Sequence, residues 1–469
     1  MSAERIWDAN AAGGGPAGGG LPLGDSAKAA ELIARIESVP FSRWHIRPRV
    51  IMGSATFFDA FTALSLASAT PVLVQLWHLT PGEVGYLLAA SYFGQFAGAL
   101  IFGWLGERIG RVMSATYAAL IMAVVSLACA FSGNFFQMFV CRIIQGIGVG
   151  GEMPVAATYI NELSRAHGRG RFFLLYELIF PIGFLAAAVA GAQLVPVYGW
   201  NILFLIGTVP GLIITYLVSR LPESPRWLIR KGRHAEAEAI IRSLEASTSK
   251  RSPVAAQPVS VAASQKSRWS ELFSPFYRRR TLIVWAIWAT AYGVTNGLNN
   301  WMPTLYNTVY HLPLQASLNF ALLTNATQIL VLLVCIFVID RIGRKTWMTV
   351  SFVIGGLLLL PLGLSGADDV ARVVIFVTLS YGVMSTINTV LYLYTPEIYP
   401  TRMRAIGTAA GTCWLRLASA AGPLVVSVMM VSHGISSVFL MFAGVALVGA
   451  IAATQMIETR NRRLEDIAP

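Results

Sequence analysis

Gly103-Trp-Leu-Gly-Glu-Arg-Ile-Gly-Arg111 and Asp340-Arg-Ile-Gly-Arg-Lys345 are two versions of one stretch: Arg108-Ile-Gly-Arg111 recurs as Arg341-Ile-Gly-Arg344, an offset of 233. Two further matches keep almost the same register. Glu162 followed by Arg169 recurs as Glu397 followed by Arg404, and Glu223 recurs as Glu458, each 235 residues on. Three matches at nearly one spacing make the chain two homologous halves.

Outward from these stretches the sequence is greasy. Of 469 residues 55% are apolar and only 12% charged, and the mean hydropathy is +0.61. One soluble core cannot hide that much apolar surface. A spanning helix needs about 20 apolar residues, and such runs lie near 50–77, 84–105, 112–132, 135–160, 171–195 and 199–219, then 281–308, 316–339, 346–366, 371–394, 404–432 and 434–457. The expected fold is an all-α membrane protein of twelve transmembrane helices in two pseudo-symmetric six-helix bundles, 47–219 and 281–457. Residues 1–46 read as a Gly/Ala-rich disordered tail, then a short amphipathic helix capped by Ser26. Residues 220–280 read as a polar loop with short helices and a Ser/Ala/Pro linker, and 458–469 as a tail. No cleavable leader is legible, since the first long apolar run starts near Val50.

The net charge of +12 and pI near 9.8 are a matter of topology. With alternating loops, only Arg372 of the 35 Lys and Arg falls on the side opposite the termini, while Arg142 and Arg416 lie within spans. That bias places both termini and the central loop in the cytoplasm of a cell that carries the protein in its plasma membrane. No basic domain interleaved with aromatics supports nucleic-acid binding. Cys129, Cys141, Cys335 and Cys413 sit in apolar runs without disulfide or metal spacing.

These stretches resemble the major facilitator superfamily. Gly103 to Arg111 is similar to its loop signature, with Glu107 where Asp is usual, and Asp340 to Lys345 to the second-half copy. Arg142-Ile-Ile-Gln-Gly-Ile-Gly-Val-Gly-Gly151, Arg169-Gly170, Pro-Glu-Ser-Pro-Arg-Trp-Leu at 222–228 and Glu397-Ile-Tyr-Pro400 resemble the sugar-porter-like branch. Arg35-Ile-Glu-Ser-Val-Pro-Phe-Ser-Arg-Trp-His45, Gly151-Glu-Met-Pro154, Glu177 and Arg416 before Gly422-Pro423 look closer to bacterial niacin and aromatic-acid proton symporters. The seventh span, Ala291 to Asn300, lacks the paired glutamines that hold sugar hydroxyls, which disfavours a sugar.

An ionised side chain at mid-membrane costs several kcal/mol and faces a cavity or a partner. Asp59, Arg142, Glu152, Glu177 and Arg416 are such residues. The resemblance implies that Asp59 and Arg142 form a proton-coupling pair, with Asp59 the carrier because Arg holds its proton; a permanent ion pair fastening two helices is the alternative. Glu152 and Glu177 join them, as a network or a second proton route. Arg416 offers a fork of donors suited to a carboxylate, with Trp414 two residues away; pairing with Glu177 or Glu152 is the alternative. Asn296, Asn299, Asn300, Tyr292 and Trp301 of the seventh span, with Phe58 and Phe61 of the first, can bond and stack on a ring or serve as interhelical glue. Glu107, Arg108, Arg111, Glu162, Arg169 and Glu223, and their repeats Asp340, Arg341, Arg344, Glu397 and Arg404, read as gating clusters. Gly146, Gly148, Gly150 and Gly151 lie in a span with no preceding strand, so close helix packing explains them better than a nucleotide loop.

No hydrolase triad, phosphate loop or metal spacing appears, so the expectation is a monomeric transporter and not an enzyme, without cofactor or metal, whose partners are protons, a small molecule and the bilayer, with no nucleic acid. The specific expectation is proton-coupled uptake of a small organic anion such as nicotinate or another aromatic carboxylate. The alternatives are a sugar or organic-cation transporter, an efflux antiporter, disfavoured because Pro181-Ile-Gly183 lacks the export pattern, and a non-transporting sensor.

Overall fold

The computed structural model describes residues 23–39, 42–163, 178–247, 269–400 and 403–460, and every regular element among them is helical. A first helix, α1 (Leu23–Ser38), precedes six long helices: α2 (Ile46–Trp77), α3 (Pro81–Ile109), α4 (Arg111–Ala130), α5 (Phe135–Glu162), α6 (Ile179–Tyr198) and α7 (Asn201–Ser219). Two short ones follow, α8 (Pro225–Arg230) and α9 (His234–Ala246). The second half is α10 (Arg278–Thr308), α11 (Leu314–Ile342), α12 (Arg344–Leu364), α13 (Val370–Glu397), α14 (Arg404–His433) and α15 (Ile435–Thr454). We call the face carrying α8 and α9 the loop face and the opposite one the far face.

Ten of the twelve long helices are long and apolar enough to cross a membrane. The other two, α5 and α10, carry Arg142 and Glu152, and Asn296, Asn299 and Asn300. Of these, Arg142, Glu152, Asn299 and Asn300 are buried and Asn296 is half-buried. The turns are sharp where the local chemistry demands it. His78 takes a left-handed conformation (φ +51°) to end α2, and Thr80 and Glu83 exchange capping bonds (Thr80 N–H to Glu83 Oε2, 2.8 Å) ahead of Pro81 at the first position of α3.

Inside the first half the glycine run packs helices. A Cβ on Gly146 or Gly150 would strike the backbone of Ser91 or Gln95 in α3, and one on Gly94 or Gly98 would strike Ile143 or Ile147 in α5. This backbone-to-backbone contact holds the helix that bears Arg142 and Glu152.

The repeat is also three-dimensional. Glu223 accepts hydrogen bonds from the N–H groups of Arg111 (2.9 Å) and Val112 (3.2 Å) at the start of α4; Glu458 does the same for Arg344 (3.0 Å) and Lys345 (3.1 Å) at the start of α12. A carboxylate there satisfies orphan donors and meets the positive end of the helix dipole. Tyr159 donates to the Pro222 carbonyl (2.7 Å) and Tyr394, 235 residues on, to that of Ile457 (3.1 Å). Gly110 (φ +110°, ψ 164°) and Gly343 (φ +97°, ψ 158°) precede the two caps in a backbone region open essentially to glycine, and a Cβ on either would collide with the capping carboxylate. Gly110→Ala and Gly343→Ala should each cost about 1–3 kcal/mol of strain, read as a lower melting temperature of the detergent-purified protein. The two losses should add, because the sites lie in different halves; unchanged melting would contradict this account.

The amphipathic helix starts at Leu23, so Ser26 lies within it instead of at its cap, and residues 23–25 of the expected tail are helical. Leu32 and Ile36 of α1 bury against Trp227, Leu228 and Ile241, worth about 1.5–3 kcal/mol per side chain. Arg35 adds an ion pair to Glu245 (2.7 Å). The rest of the expected tail, most of the Ser/Ala/Pro linker, the start of the expected fifth span and most of the last residues lie outside the described residues.

Candidate functional site

Four ionisable side chains are buried at different depths near where the two halves touch: Asp59 of α2 (2% exposed), Arg142 and Glu152 of α5 (2% and 1%) and Arg416 of α14 (7%). Arg142 Nη1 donates to the Thr62 carbonyl (3.2 Å) and to Gln145 Oε1 (2.6 Å). Arg416 Nη1 donates to the Thr412 carbonyl of its own helix (3.2 Å), and Nη2 reaches across the halves to the Gly150 carbonyl (3.4 Å). Glu152 Oε1 accepts from Thr56 Oγ1 (3.4 Å). Asp59 lies within electrostatic reach of Arg416 and Arg142, and Glu152 within reach of Asp59.

Among the described residues no ion pair closes between any two of the four. Each instead keeps a buried atom without a partner: Asp59 Oδ1, Arg142 Nε, Glu152 Oε2 and Arg416 Nε. An orphaned buried polar atom costs about 1–3 kcal/mol, and more on a charged group. A pair serving only to fasten helices would close and satisfy those atoms. Two acids and two guanidinium cations left unpaired are instead suited, the acids to taking up and releasing a proton and the cations to accepting an anion.

The seventh-span asparagines point three ways. Asn296 donates to Ser419 Oγ (2.6 Å) on α14, three residues from Arg416, and Asn299 accepts from Asn325 Nδ2 (3.2 Å) on α11. Asn300 donates to Tyr92 Oη (3.1 Å) on α3, across the halves. Tyr92 stands beside Arg142 and Asp59. Tyr292 stacks on Trp288 (ring centroids 5.5 Å apart), and Trp301 is buried in the apolar core that runs through both halves, with its Nε1 unpartnered. Phe58 touches Phe57 and Phe61, and Phe61 is buried against Ala187 and Ala188 of α6. Trp414 is 38% exposed on the outer stripe of α14 that holds Leu417, Val425 and Val428, against Trp285, and turned away from Arg416. Glu177 lies outside the described residues. Tyr92, Thr56, Gln145 and Ser419 are the neighbours that sequence reasoning missed; each reads as one more polar or aromatic residue in a span.

On the loop face Arg111 bridges Glu107 (2.6 Å) and Glu162 (3.1 Å), and Arg344 repeats this with Asp340 (3.1 Å) and Glu397 (3.4 Å). Arg230, unforeseen, also pairs with Glu162 (2.9 Å). Burial pushes the Glu223 carboxyl above its usual range, against the pull of the N–H groups of Ser224, Arg111 and Val112. Arg108 lies over the Trp104 ring, Arg341 is exposed, and Arg404 donates to the Tyr399 carbonyl (3.2 Å); Arg169 lies outside the described residues. Among the described residues each loop-face ion pair stays within its own half. Bonds between the halves lie at mid-membrane and toward the far face, where Gln75 donates to Asn307 (2.9 Å) and Gln315 to the Ala192 carbonyl (2.7 Å).

A family model described as sugar (and other) transporter matches residues 54–469. The chain belongs to that family. It is a membrane-spanning transporter of the major facilitator superfamily, and not an enzyme. The niacin transporter NiaP of Acinetobacter baylyi is 33% identical over 447 residues, covering 93% of this chain and 99% of its own. The putative niacin/nicotinamide transporter NiaP of Bacillus subtilis is 27% identical over 424 residues, 88% of this chain and 96% of its own. Among solved structures, the xylose transporter XylE of E. coli superposes with a TM-score of 0.70 at 19% identity, covering 90% of this chain and all of that one, which shows the shared fold.

The transporter's charged centre breaks its own symmetry. Offset by 235, Asp59, Arg142 and Glu152 correspond to Val294, Val377 and Ile387, and Arg416 to Pro181, all of them apolar. The scaffold is duplicated but the ionisable groups are not, so they answer to something other than the fold.

Proposed function

We propose that this transporter couples inward movement of a small organic anion, nicotinate or a similar aromatic monocarboxylate, to inward movement of a proton, by rocking one half against the other. The observation that carries the reading is Arg416: a buried guanidinium spans from the second half to the first with its Nε unsatisfied, beside Asp59, which forms no ion pair among the described residues. A guanidinium fork suits a carboxylate. With both acids and both arginines ionised the centre is neutral, so bringing in one anion calls for one proton, and Asp59 is the carrier. The names of the two NiaP relatives support the substrate class. The loop face is taken as the cytoplasmic face of a plasma membrane, a reading that the distribution of Lys and Arg supports. Loop-face ion pairs confined to their own halves, and far-face bonds joining them, suit a state closed to the outside.

Proton coupling also answers an energetic need. An inside-negative potential of about 100 mV opposes entry of one negative charge by about 2.3 kcal/mol, and a co-transported proton cancels that opposition. The test is uptake of labelled nicotinate into reconstituted vesicles, acid outside, with unlabelled competitors. Benzoate should compete, while nicotinamide, which keeps the ring and loses the charge, should be weaker by about tenfold or more. Equal competition by nicotinamide, or competition by xylose, would overturn the reading.

A further inference from the structure

Glu152 is a buried carboxyl that anion recognition does not use. Its Oε1 accepts from Thr56, and its Oε2 has no partner. Thr56 stands three residues before Asp59 on α2, so by helix rise the Glu152 carboxyl is held about 4.5 Å closer to the loop face than Asp59. Along α5 it lies ten residues past Arg142, about 15 Å toward that same face. The titratable and charged groups facing this seam divide by depth. Arg142, Tyr92 of α3 and Cys129 of α4 cluster toward the far face. Arg416 of α14 is fixed to Gly150, two residues before Glu152, and its charge, like that of Arg142, acts on Asp59. Asp59 is the ionisable neighbour that acts on Glu152, and among the described residues no cation forms an ion pair with it.

We propose that Glu152 is a second proton-binding site and the loop-face half of the proton path. A proton arriving on Asp59 passes to Glu152 before it leaves. The O–H bond of Asp59 breaks as one forms on Glu152, and the electron pair stays on the Asp59 carboxylate, which then faces two arginines. Thr56, donating to Glu152 from the helix that carries Asp59, positions the acceptor. Asp59 and Glu152 act on one another with Thr56 set between them, so a proton entering the pair can pass from the first to the second, and the one on Glu152 leaves through the face that opens.

This deepens the reading of Asp59 as the carrier, and the test separates the two. Infrared difference spectra of the full-length protein in nanodiscs, acid against alkaline, should show carbonyl stretching of two buried carboxylic acids. Glu152→Gln should remove one contribution, Asp59→Asn the other, and Thr56→Val should shift the Glu152 contribution alone. Spectra of Glu152→Gln and Thr56→Val identical to wild type would overturn the proposal. In vesicles Glu152→Gln should slow proton-driven net uptake of nicotinate by about tenfold or more beyond any effect on nicotinate counterflow; equal slowing of both would overturn the relay. Should nicotinate not be carried at all, the infrared result still decides for Glu152, and the failure falls on the proposed substrate.

Discussion

Asp59→Asn is expected to abolish accumulation of the substrate. One proton per anion makes the accumulation ratio follow the pH gradient, about tenfold for each pH unit, since a unit of pH is worth about 1.4 kcal/mol. Wild-type protein in vesicles with a one-unit gradient should therefore concentrate nicotinate about tenfold within a time in which protein-free vesicles take up little, a control needed because weak acids cross bilayers on their own. The Asn variant should bring that excess to about nothing, even at saturating substrate, because an amide cannot carry the proton. Binding should suffer much less, since Asn keeps the shape and removes only a negative charge that an anion must otherwise tolerate. Accumulation equal to wild type would end the assignment of Asp59. The geometry favours the functional account over the structural one: Asp59 Oδ1 has no partner and no ion pair to Arg142 closes, so the Asn variant loses no fastening bond and should melt close to wild type.

The halves, the long helices and the loop-face motifs were legible because each rests on a constraint that acts locally or recurs. Apolar runs of spanning length admit few structures, and the repeat of Arg111, Glu162 and Glu223 as Arg344, Glu397 and Glu458 is the same bonded cluster built twice. The charged centre was legible as a set of residues because an ionised group in lipid is too costly to be accidental. Its pairing was not. Whether Arg142 closes on Asp59 or on Gln145 and a backbone carbonyl depends on how the helices are turned against one another, which spacing does not record. Tyr92 escaped notice because its partner, Asn300, comes from the other half, and only the assembled bundles bring them together. Trp414 is different: it was readable. Two residues along a helix turn the side chain by about 200°, so with Arg416 facing the other half Trp414 had to face away, as its exposure beside Leu417 shows.

Arg416→Lys carries the second large effect, on affinity. The guanidinium spends one nitrogen on its own helix and one on Gly150, and keeps Nε unmatched. Lysine retains the charge but cannot hold the first half's backbone and present a planar fork to a carboxylate at once. A charge-assisted hydrogen bond is worth about 1.5–3 kcal/mol, so nicotinate affinity, measured by calorimetry on the purified protein, should fall about 10- to 100-fold. Arg416→Ala removes the charge and strands whatever carboxylate enters, with a cost of about 2–5 kcal/mol. The two roles of Arg416, anchor and strut between halves, separate in the melting curves. A strut alone would lower stability without ligand and leave affinity intact, whereas an anchor weakens the stabilisation that added nicotinate gives, since a ligand stabilises only what binds it. Unchanged affinity in Arg416→Lys would leave the carboxylate without its cation and would shift the substrate toward neutral or cationic solutes, for which Asp59 and Glu152 already supply the acids.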